Sequence, residues 1–77
     1  MTADGARSAA RGVPKIAREL RRHPGSELVA IRKNGRWVVQ SFTKDKARRQ
    51  IVEVYVDPYS GQVTEAWTGF QVAWGMA

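Results

Sequence analysis

The pair Asn34-Gly35 constrains this chain more than any other feature. It separates two β-rich runs, Glu27–Lys33 and Arg36–Thr43. Asn-Gly is the preferred pair for a two-residue type I′ hairpin, because both central positions need positive φ. An antiparallel hairpin at the middle of the chain follows. A third strand is expected at Gln50–Val56, where Val52, Val54 and Val56 alternate with Ile51, Glu53 and Tyr55. The segment Asp57-Pro58-Tyr59-Ser60-Gly61 carries turn chemistry: an Asp that bonds backbone N–H groups ahead of it, a Pro that presets φ, and a Gly suited to positive φ. Asn34, Gly35, Asp57 and Gly61 are therefore read as structural turn residues. A fourth strand, Gln62–Trp67, returns from the second turn.

Ahead of the strands, Val13, Ile16, Ala17 and Leu20 fall on one stripe of a helix that begins near Ser8 or Pro14 and ends at Arg22. Arg21, Arg22 and His23 suit a helix C-terminus, and His23-Pro24-Gly25 stops it. Residues 1–8 are small and polar and are read as a disordered leader. The expected fold is α+β, an N-terminal helix packed on a three- to four-stranded antiparallel β-meander. The domain runs over residues 9–67, and an apolar C-terminal segment over residues 68–77 is read as the start of a juxtamembrane stretch. The hairpin groups Val29, Ile31, Val38 and Phe42 on one side and Leu28, Ala30, Trp37 and Val39 on the other. Either side is apolar enough to be the core, and one helix covers only one.

Seventy-seven residues without cysteine must hold together without disulfides or a cysteine-zinc cluster, on a small core alone. Chemistry is hard to find. The one histidine, His23, sits in a helix-stop signal, and there is no nucleophile elbow, phosphate loop or calcium-loop spacing. No catalytic residue, metal or cofactor is expected.

The charge balance is lopsided, with 13 Lys+Arg against 7 Asp+Glu for a formal +6. The basic residues form two groups. Arg7, Arg11, Lys15, Arg18 and Arg22 follow helical spacing opposite the apolar stripe, and Lys44, Lys46, Arg48 and Arg49 crowd one loop. The plain reading is a solvated surface; the functional one is contact with an anionic surface, lipid headgroups or nucleic acid. The tryptophans lie away from the basic loop, which sets nucleic-acid binding second. Trp37, Tyr55, Trp67 and Trp74 are a large aromatic payload for a short chain. They are read either as packing under the C-terminal segment or as anchors of a protein interface.

The run Val54-Tyr55-Val56-Asp57-Pro58-Tyr59-Ser60-Gly61-Gln62-Val63 resembles the hairpin of the PepSY domain family, and the likeness extends over residues 13–67. The resemblance implies one helix against an antiparallel sheet. It also implies a non-catalytic, protein-binding or peptidase-inhibitory regulatory module, of the kind found in propeptides of secreted metallopeptidases and in membrane or envelope proteins. Of the family's positions only Asp57 and Gly61 carry over, and they carry a structural role. The chain departs from secreted relatives in showing no signal peptide. The tail Trp67-Thr68-Gly69 and Val72-Ala73-Trp74 is similar to stretches that precede transmembrane helices in actinobacterial membrane proteins. The expected setting is a membrane-associated protein, with a protein partner or the chain's own membrane portion as ligand. Charge favours the cytoplasmic face; the family's habit favours the other.

Overall fold

A computed structural model describes residues 1–69. Two helices, α1 (Ala3–Arg11) and α2 (Pro14–Arg22), precede four strands: β1 (Val29–Lys33), β2 (Arg36–Phe42), β3 (Gln50–Val56) and β4 (Val63–Thr68). The strands form one sheet in the order β1-β2-β3-β4, each pair antiparallel. The fold is α+β, as expected.

The expected leader is a helix. Thr2 Oγ1 accepts the Gly5 N–H at 3.1 Å as an N-cap, Asp4 lies in the first turn and Arg11 in the last, each on the end of the helix dipole that favours it. Ala6 and Ala10, one turn apart, are fully buried. They bring little hydrophobic signal, but alanine is the best helix former and lets a helix backbone lie close to a sheet. Pro14 opens α2 at its first turn, where a missing N–H costs nothing. Ile16 is fully buried in the core, with Val13 and Leu20 packed beside it.

The hairpin turn is as the sequence demands: Asn34 has φ 53° and Gly35 φ 75°. Pairing of Ala30 with Val39, Val39 with Val54 and Val54 with Ala66 places these residues on one face, because directly opposed residues share a side. This is the helix side. It also holds Leu28, Trp37, Ser41, Val52 and Val56, and so decides between the two hairpin groupings. Trp37 packs against the core beneath Arg32, whose guanidinium stands 5.4 Å from the ring centre.

A register shift near Ser41 pairs Ser41 with Val52 and Phe42 with Gln50, leaving Ile51 as the extra residue of a bulge. Ile51 joins the core cluster, whereas strict alternation had set it with Glu53 and Tyr55. Next to the bulge, the Ser41 hydroxyl is buried and finds no hydrogen-bond partner among the described residues. Ser41→Ala removes an unpaired polar group from an apolar site and is expected to raise the unfolding free energy by about 1 kcal/mol. Urea unfolding followed by circular dichroism measures this, and a loss of stability would contradict it.

Candidate docking face

The helices cover one side of the sheet. The other side carries Val29, Ile31 and Lys33 from β1, Arg36, Val38, Gln40 and Phe42 from β2, Glu53 and Tyr55 from β3, and Glu65 and Trp67 from β4, by the same pairing. No helix among the described residues lies on it. Val38 is nonetheless almost wholly buried by its neighbours, while Val29 and Ile31 remain 47% and 41% exposed.

At the centre of this face sits Glu53, only 4% exposed. Its carboxylate is fully occupied: Oε1 accepts from Gln40 Nε2 and Gln50 Nε2, each at 3.1 Å, and Oε2 accepts from the Tyr55 hydroxyl at 3.1 Å. A carboxylate is tolerable so far out of water only when its lone pairs are filled in this way. Burial, followed by the charge of Glu53, pushes the Tyr55 hydroxyl above its ordinary pKa. Arg36 lies 4.3 Å over the Tyr55 ring and reaches across the sheet to Glu65 Oε2 at 3.1 Å. The central polar groups are thereby fixed, and the aliphatic strip along β1 is left open.

Charged residues bound the strip at both ends. Lys33 closes it at the hairpin turn. At the other end is a cleft of about 420 Å³ lined by Val29 and Phe42 with Glu27, Lys44, Asp45 and Arg48. Arg48 lies 5.4 Å over the Phe42 ring. The loop beside this cleft is built around Asp45, whose Oδ1 accepts from Thr43 Oγ1 at 2.9 Å and from the Arg48 N–H at 3.0 Å.

Asp45 and Asp57 are held below the usual carboxylate range. For Asp45 the largest cause is the Thr43 hydroxyl; for Asp57 it is the Ser60 N–H, then the Tyr59 N–H. A carboxylate whose folded pKa is lowered contributes stability that is present above its unfolded value of ~3.9 and is lost as pH falls through the lowered value. Thermal melts between pH 2 and pH 7 are therefore expected to show a stability decline below pH ~4 that is shallower in Asp57→Asn. An unchanged decline in that variant would contradict the assignment.

Of the aromatic anchors read from the sequence, Tyr55 and Trp67 lie on the open face, while Trp37 belongs to the helix side. Trp74 lies outside the described residues. Arg11, Arg18 and Arg22 are exposed on the helices and Lys15 is half-buried, while Lys44, Lys46, Arg48 and Arg49 are exposed in the loop of residues 43–49. The sequence reading missed the Glu53 network; it grouped Val29 and Ile31 with Val38 and Phe42 on one apolar side but left open which side the helices cover. The signal for the network was Gln40 and Glu53, two long polar residues interrupting apolar strands. Among the described residues no cluster of three or more His, Asp or Glu is placed to hold a metal, and no helix is long and apolar enough to cross a membrane. Compared with protein-family models, with curated proteins and with solved structures, the chain matches none of them.

Proposed function

We propose that this chain is a non-catalytic, regulatory protein-binding module, and that the sheet face opposite the helices is its docking surface. The observation that carries this reading is the Val29–Ile31 strip. Two β-branched side chains stay nearly half exposed on a sheet face whose centre is held by a polar network. Their adjacent apolar side chains offer a surface on which a partner's apolar side chains could be buried. Because Lys33 ends the strip at the hairpin turn, while Lys44 and Arg48 at the other end stand beside Glu27 and Asp45, the matching partner is a protein segment with apolar side chains in its middle and an acidic residue at the end that meets Lys33. The PepSY resemblance of the Val54–Val63 hairpin supports the same class of function, including peptidase inhibition by occupancy of such a segment.

A photocrosslinking side chain at Ile31 tests this in the cells that make the protein, with the same side chain at Arg18 on the helix side as reference. A single discrete protein adduct from position 31, lost when Val29→Asp is added and absent from position 18, is the expected result. Adducts from both positions alike, or none from position 31, would overturn the reading.

A further inference from the structure

The C-terminal end of α2 and the basic loop, far apart in sequence, lie at one pole of the fold. Arg21 and Arg22 occupy the last turn of α2. The turn that follows lies against the loop of residues 43–49: an ideally placed Cβ on Gly25 would stand 3.9 Å from Lys44 Nζ. Lys46, Arg48 and Arg49 extend the same pole, all exposed. Three carboxylates offset them in part: Glu19 holds His23 at 3.2 Å and Arg22 at 4.0 Å, Asp45 acts on Arg49 within the loop, and Glu27 lines the cleft with Lys44 and Arg48. Against these stand six cations, Arg21, Arg22, Lys44, Lys46, Arg48 and Arg49. Arg21, Lys44, Lys46 and Arg49 take part in none of the four ion pairs among the described residues.

The described residues also end at this pole. Gly69 N–H donates to Ile51 O at 2.9 Å, so β4 ends beside the start of β3, the strand that the basic loop feeds. The next eight residues, 70–77, include Phe70, Val72, Trp74 and Met76 and no charged side chain. The opposite pole holds the Asn34-Gly35 turn and the Asp57–Gly61 turn, with the N-terminal ammonium 3.5 Å from Pro58 O.

The geometry points to the basic pole as a surface that seats on an anionic lipid bilayer. Cations clustered beside Gly69, which an aromatic, uncharged stretch follows in sequence, match a bilayer interface, where basic groups meet headgroups and aromatic side chains lie at the boundary. A nucleic acid would ask for aromatic platforms among the cations. Phe42, beside the loop, is already covered by Arg48, and the Tyr55 ring by Arg36. The inference uses none of the strip residues, so it stands or falls separately from the docking face.

The test is flotation of residues 1–77 with vesicles of phosphatidylcholine alone and of phosphatidylcholine with 30% phosphatidylglycerol, about 30% being enough for a strong surface potential, in ~0.1 M salt. Binding to the anionic vesicles alone is expected. Lys44→Gln with Lys46→Gln should lower the partition about tenfold or more, since each headgroup-facing cation contributes strongly. Arg32→Gln with Lys33→Gln removes the same charge a strand length away, roughly 20 Å and two screening lengths, and should lower it less than threefold. Val29→Asp with Ile31→Asp should leave the advantage of intact Lys44 and Lys46 in place. Absence of binding, equal losses in the two charge pairs, or tighter binding to a single-stranded oligonucleotide at the same salt would overturn the inference.

Discussion

Ile16→Ala is expected to lower the unfolding free energy by about 2–5 kcal/mol, a large share of the roughly 4–12 kcal/mol that a domain of this length carries. Ile16 is fully buried, and it is the one buried side chain of α2. A helix of nine residues does not persist in water by itself, so α2 is held by that side chain together with Val13 and Leu20 at its margins. Truncation leaves a cavity between the helix and Val52, Val54 and Val56, which rigid strands close only in part. Urea unfolding should show a single transition at a much lower midpoint. A loss under about 1 kcal/mol would mean that the α2 contact contributes far less than a buried isoleucine ordinarily does.

Glu53→Ala is expected to cost about 2–3 kcal/mol, because three donors lose a charged acceptor at the centre of the sheet. Glu53→Gln separates charge from shape. It removes the negative charge that helps to raise the Tyr55 pKa, but leaves burial, the larger cause, in place. The Tyr55 hydroxyl should therefore titrate nearer to its ordinary value of 10.0 without reaching it, which ultraviolet absorbance follows directly. The linkage has a definite sign. A tyrosine with a raised folded pKa contributes stability that is present below pH ~10 and lost as pH rises through the raised value. Glu53→Gln should accordingly shrink the alkaline loss of stability, and an unchanged Tyr55 titration would show that the carboxylate does not act on it.

The strands and turns were legible because their signals are local. Asn34-Gly35 requires positive φ at two successive positions, and Asp57 supplies the acceptor for Tyr59 and Ser60 N–H at 2.8 and 3.0 Å. Helix α1 was not legible by hydrophobic period, since Ala6 and Ala10 contribute little apolar area; their i, i+4 spacing and the Thr2 cap were the signals present. The bulge that turns Ile51 toward the helices is a two-strand event, invisible in β3 alone. The choice of core face followed from packing as well: Trp37 and Phe42 are both large, and only the helices decide that Trp37 goes in. The site was legible in kind more than in place. Tyr55 and Trp67 do share the open face, and the exposed strip lies along β1, on the Val29 and Ile31 side of the hairpin, which sequence alone could not tell from the core side. That the end of α2 comes near the basic loop, some twenty residues on, is set by the fold, and no spacing encodes it.

The central claim is that contact is made through the sheet face and not through the helices. The most direct measurement is the amide and indole chemical-shift map of the labelled chain as the partner segment recovered by crosslinking is added. The account predicts that perturbations gather on Val29, Ile31, Lys33, Phe42 and the Trp67 indole, with Arg11, Arg18 and Arg21 unmoved. Perturbations gathered on α1 and α2, with β1 silent, would contradict it.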